Sequence, residues 1–145
     1  MKMLTMLAPA FAALLACALA GAAPAPLRQD HPVVGTWSLT VPNTACQETY
    51  HIHDDGTSLV TSAQEVAESE FQIADKPDKL GFYKETDTIT KDNGKHDCSG
   101  DVTEVGRAVT SYLLFHPSGD MFLMCLEQNT KRCIGPFVRV KGANT

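Results

Sequence analysis

The sequence has no cluster of Lys or Arg anywhere along its length. That absence excludes the usual nucleic-acid footprint, because such affinity rests on grouped cations that neutralise phosphates. The same deficit argues against docking on an anionic membrane surface. Without Lys2, 11 basic side chains stand against 17 acidic ones, and such an excess of negative charge favours solubility. No two cysteines stand at C-x-x-C spacing, which counts against a zinc site. There is no G-x-S-x-G elbow, and no nucleophile, base and acid can be named together. The expectation is a protein that is not an enzyme and has no cofactor and no resident metal. Internal repeats are also missing, so a solenoid or propeller is not in view.

What is present begins with an export leader. Met1-Lys2 supplies a minimal basic start, and Met3 to Ala23 carries no charge and is mostly Ala, Leu and Met. Residues 1–23 therefore read as a signal peptide, with Ala18-Leu19-Ala20 before Gly21 as the small-x-small cleavage site. Two alternatives stay open. Leu14-Leu15-Ala16-Cys17 resembles a lipobox, in which Cys17 is lipidated and anchors the chain to an envelope membrane. A retained transmembrane helix also fits by length, but Pro9 and the small residues at its end argue against it. Residues 24–32, opening Pro24-Ala25-Pro26, read as an extended, disordered linker, because Pro denies ladder hydrogen bonds.

Cys46, Cys98, Cys125 and Cys133 remain once Cys17 is assigned to the leader. An even number in a small exported domain implies disulfides and an oxidising compartment, periplasmic or extracellular. Three pairings are open. Cys125 and Cys133 flank a hairpin turn and make the natural local pair. Cys46 with Cys98 then follows, contributing roughly 4 kcal/mol by loop entropy.

From residue 33 to residue 141 the chain alternates in short segments broken by turn residues. Strands expose every second residue on one face. Strands are expected at 33–41, 46–53, 57–63, 66–74, 80–91, 108–116, 121–127 and 132–141, ahead of a tail at 142–145. Asp54-Asp55-Gly56 is a hairpin signal. Pro136 predicts an edge position or a bulge. Residues 92–107 form the longest loop. Eight sequential strands without a helix predict an all-β, antiparallel up-and-down barrel, whose closure removes exposed edges. A barrel of that size either fills with side chains or holds one small ligand.

Gly35-Thr36-Trp37, opening the first strand, resembles the G-x-W signature of lipocalins. The resemblance implies that Trp37 closes one end of the barrel and packs against a late Arg, here Arg139, with Gly35 and Arg139 in structural roles. The same opening followed by Cys46 is also similar to small periplasmic inhibitors of proteases and lysozymes. That likeness implies a blocking element, with Pro24 to Pro32 or Asp92 to Gly106 as candidates.

The functional expectation is an exported, monomeric binding protein for a small apolar or amphipathic ligand, with Trp37, Tyr50, Phe71, Tyr83, Glu85 and Tyr112 as ligand contacts. The alternative is an inhibitor-like module that blocks a protein target. Tyr83, Glu85 and Asp87 alternate with Lys84, Thr86 and Thr88, so both faces of the fifth strand are polar. Either one polar face lines the barrel interior, or the strand projects beyond the barrel into water. His51 and His53 share a face opposite Tyr50 and Ile52, so both are expected in solvent rather than on a metal. Asp and Gly between residues 92 and 101 do not follow the calcium-loop spacing. Ser118 beside His116 is explained by a tight turn, and Glu68 with Glu70 by a solvated strand face.

Overall fold

The computed structural model describes residues 23–142. The leader reading, with its alternatives at Gly21 and Cys17, lies outside the described residues apart from Ala23, and so does the tail beyond Gly142.

The described chain forms eight strands: β1 (Gly35–Thr40), β2 (Gln47–Ile52), β3 (Thr57–Ser62), β4 (Glu65–Ile73), β5 (Phe82–Asp92), β6 (Ala108–Phe115), β7 (Met121–Cys125) and β8 (Cys133–Arg139). Each pairs antiparallel with the next, and β8 returns to β1, so the sheet closes into an up-and-down barrel. The closing seam is short, with only Trp37 opposite Arg139 and Ser38 opposite Val138. Most strands run one to three residues shorter than alternation alone suggests, while β4 keeps its expected length one position earlier. At the start of β1 the reason is a pair of turns, closed by His31 N–H to Arg28 C=O and Val34 N–H to His31 C=O.

Register decides which face looks inward. Trp37 opposes Tyr50, Tyr50 opposes Val60, and Val60 opposes Ala67. On the far side Glu85 opposes Ser111 and Leu113 opposes Met124. These residues share the inner face because partners directly across an antiparallel ladder point the same way. A register shift at Glu68/Ser69 sets Ala67 against Asp92 and Ser69 against Ile89, so Ile89 and Asp92 lie on the inner face although two residues, not one, stand between them. The bulge expected from Pro136 has its counterpart in a shift between Phe122 and Met124. The edge position does not occur, since β8 pairs on both sides.

One end of the barrel is plugged. Trp37, Phe122 and Phe137 pack there with Val33, Leu39 and Leu113, all buried. Phe122 and Phe137 stack at 4.5 Å, and Trp37 meets Phe122 edge-on at 4.7 Å. Arg139 lies over the Trp37 ring, its guanidinium carbon 4.1 Å from the centroid. It donates to the carbonyls of Pro32, Val34 and Gly119 at 2.8, 2.9 and 3.1 Å. Gly35 leaves room for this side chain. Its φ is +136°, and a Cβ there would collide with Arg139 Nη1.

The linker expectation for residues 24–32 is corrected. Leu27 packs on the core and its N–H donates to Asp54 C=O at 2.6 Å. His31 is 3% exposed, and its Nε2 lies 3.0 Å from Ala74 O. Trp37 Nε1 donates to Val33 C=O at 2.8 Å. Leu27 offers apolar area and His31 a ring with hydrogen-bonding nitrogens, so the segment folds across the base instead of trailing free.

The opposite end is the mouth, and both disulfides lie there. Cys46–Cys98 joins the β1–β2 turn to the β5–β6 loop, and Cys125–Cys133 joins the ends of β7 and β8. The 93–107 loop is drawn across the mouth by the first bond, by Cys98 N–H to Ser62 Oγ at 2.9 Å, and by Gln64 N–H to His96 C=O. Two disulfides fit an extracellular or periplasmic setting.

Candidate functional site

Between the aromatic plug and the mouth lies a chamber of about 260 Å³. Its floor and walls include Phe71, Tyr50, Ile52, Val60 and Met124, and Asp97 and Thr103 of the 93–107 loop reach it from above. Its most telling feature is charge. Glu48, Glu65, Glu85 and Asp87 all line it, and the lining contains no Lys, Arg or His.

Glu48, Glu85 and Asp87 each accept from hydroxyls on their own or a neighbouring strand. Tyr50 O–H and Ser62 O–H donate to Glu48 at 2.5 and 2.7 Å. Ser111 O–H donates to Glu85 at 3.0 Å. Ser69 O–H donates to Asp87 at 2.6 Å, and Ser69 Oγ lies 2.7 Å from Ser58 Oγ. These donors are neutral, so they orient the carboxylates without balancing their charge.

Burial therefore raises the proton affinities. Glu85, 6% exposed, is pushed up to about 7 by desolvation, with Asp87 adding repulsion and Ser111 opposing. Desolvation raises Asp87 too, against the Ser69 hydrogen bond. Glu65 rises through desolvation, and the neighbouring Asp92 carboxyl adds to the effect. The Tyr50 hydroxyl is raised by burial and then by Glu48.

Glu65 is the least satisfied of the set. It is 5% exposed, and its Oε1 is buried without a hydrogen-bond partner; Asp92 Oδ2 is in the same condition.

Of the six ligand contacts expected from sequence, Tyr50, Phe71 and Glu85 line the chamber. Trp37, fully buried, belongs to the base. Tyr83 faces inward but below the chamber, where it packs against His31 and Phe115. Tyr112 is corrected: it opposes Lys84 and Cys125, on the outer face between inward Ser111 and Leu113. Aromaticity singled it out, but period-two geometry turns it outward.

Glu48, Glu65, Asp87 and the lining serines Ser58, Ser69 and Ser111 were not among the expected contacts. Alternation carried the signal for Glu48, two residues from Cys46 and from Tyr50 on the same face. The open question about β5 is answered by its register, with Tyr83, Glu85 and Asp87 inside.

The other groups noted in the sequence lie elsewhere. His51 Nδ1 is 3.2 Å from Thr36 Oγ1 on the outer face, and His53 is exposed. His116 and Ser118 hydrogen-bond within one exposed turn. Among the described residues no three His, Cys, Asp or Glu side chains converge as metal ligands would. Compared with known proteins, the chain matches no family model, no curated sequence and no solved structure.

Proposed function

We propose that this chain is an exported, lipocalin-like binding protein that holds one small, partly apolar molecule in its barrel. The observation that carries the reading is the chamber of about 260 Å³ above a sealed aromatic base. Small-molecule sites are concave, mostly apolar and fitted with a few placed polar groups, typically in roughly 300–1,000 Å³. This chamber sits just below that range, equivalent to about nine water volumes of roughly 30 Å³ each, which suits a single ring or a short chain. Trp37 and Arg139 meet as the lipocalin resemblance implies. The disulfides support a periplasmic or secreted site of action, with lipid anchoring through Cys17 as the variant.

The inhibitor alternative is less favoured because both candidate blocking elements are tied down. Residues 24–32 fold on the base, and the 93–107 loop is stapled through Cys98.

The test is a titration of the ¹⁵N-labelled, oxidised protein with benzyl alcohol, benzylamine, benzoate and hexanol, followed by amide shifts. Saturable shifts on β2 to β6 amides facing the chamber are expected for at least one probe. No saturable shift with any of them overturns the carrier reading.

A further inference from the structure

We infer that the ligand is an organic cation, a small amine whose ammonium sits against Glu65 while its apolar body rests on Phe71 and Tyr50. The inference deepens the proposed function and rests on that reading.

Two independent observations lead to it. The first is the one-sided charge of the chamber: its lining holds Glu48, Glu65, Glu85, Asp87 and Asp97, together with Glu68, which pairs with Lys91, and no Lys, Arg or His. An enclosed site lined by one sign of charge concentrates ligands of the opposite sign. The second is Glu65 itself. Glu65 lines the chamber and its Oε1 is buried and unpartnered, while the neighbouring Asp92, whose Oδ2 is also unpartnered, lies outside the lining. A buried acceptor left without a donor is costly, and a neighbouring carboxyl adds to the cost. An ammonium carries three donors and a positive charge, so it supplies the donor that Glu65 Oε1 lacks. Charge-assisted hydrogen bonds of this kind are roughly twice as strong as neutral ones.

The geometry favours an organic cation over a metal ion. The carboxylates are spread over β2, β4 and β5 and do not converge, and no metal-ligand cluster occurs among the described residues. The other lining groups also suit an organic body. Phe71, Ile52, Val60 and Ile89 supply apolar contact, and Tyr50 supplies an aromatic ring, which attracts cations at its face. Glu65 stands at the start of β4, beside the mouth, and Phe71 lies six residues deeper on the same strand face. An amine entering with its ring leading would leave its charge at Glu65.

The alternative account of the pair is a proton shared between Glu65 and Asp92, which satisfies one oxygen of each without any ligand. The two accounts differ in what they demand of matched probes. Benzylamine, benzyl alcohol and benzoate share one ring and differ in charge. If the inference holds, the oxidised protein binds benzylamine about tenfold or more tighter than benzyl alcohol at pH 8 and low salt, with benzoate weakest. Glu65→Gln then removes most of the advantage of benzylamine over benzyl alcohol, read as the ratio of the two affinities. Equal affinities for benzylamine and benzyl alcohol, or tightest binding of benzoate, overturn the cation inference and leave the carrier reading standing. Undiminished benzylamine binding by Glu65→Gln overturns the assignment to Glu65. Failure of every probe overturns the carrier reading and this inference with it. The comparison of probes on the unsubstituted protein decides the question even if the variant does not fold.

Discussion

The base and the mouth of this barrel are built on opposite principles. At the base nearly every inward residue is aromatic or aliphatic, and Arg139 there has three carbonyl partners and an indole face. Toward the mouth carboxylates and hydroxyls interrupt the apolar lining, closed over by a loop that a disulfide holds down. Buried apolar area stabilises a fold, whereas buried carboxylates without cations weaken it. The contrast implies that the base maintains the barrel and the mouth is kept polar at a cost in stability. Such a division is expected where function needs groups that folding alone would not select.

The contrast is broken most severely from below. Trp37→Ala removes the largest side chain of the base, its hydrogen bond to Val33 and the platform for Arg139. The expected loss is about 3–5 kcal/mol, read as a lowered guanidinium chloride midpoint.

Next comes the bond that pins the mouth loop. Cys46 and Cys98 are 52 residues apart, so the double replacement Cys46→Ser/Cys98→Ser should cost about 4 kcal/mol by chain entropy. It should also raise amide exchange through 93–107 more than at the base. Uniform exchange at both ends would contradict the division.

Glu85→Gln should act in the opposite sense. The folded-state carboxyl binds its proton up to about pH 7, against 4.5 for the free group. The folded state therefore holds more protons than the unfolded state between those values, and stability falls as pH rises through that window. The window corresponds to about 3 kcal/mol. The variant should gain up to about that much at pH 8, gain little near pH 4, and flatten the dependence of Tm on pH between them. A variant less stable than the parent at pH 8 would show that Glu85 contributes to the fold instead of costing it.

The smallest effect belongs to neither end. Lys91 pairs with Glu68 at 2.8 Å on the outer surface, with both side chains well exposed. Lys91→Ala should shift stability by less than about 0.5 kcal/mol, and thermal melting in low and high salt would check it.

Much of this architecture was legible in the chain. Strict alternation in Gly35-Thr36-Trp37-Ser38-Leu39 gave the inner face of β1, and turn residues such as Asp54-Asp55-Gly56 marked the hairpins. The flanking of a turn by Cys125 and Cys133 favoured the local pairing among three open ones, and the structure has it together with Cys46–Cys98. The candidate site was less legible, because a residue's chemistry does not say which face it occupies. Tyr112 has a ring suited to a ligand, but its neighbours Ser111 and Leu113 occupy the inner face. Glu48 looks like a surface acid, but it shares a face with Tyr50.

The sequence alone determined the number of strands and their order, because period-two burial and turn chemistry are local properties, while it left the pairing of the four cysteines to the fold. Only the tertiary structure decided which polar face of β5 looks inward, since Lys84, Thr86 and Thr88 are as polar as Glu85 and Asp87. That choice follows from closure: once Trp37 is seated in the base, every cross-strand pair inherits its facing, and the register around the ring carries Glu85 and Asp87 inside with Glu48 and Glu65.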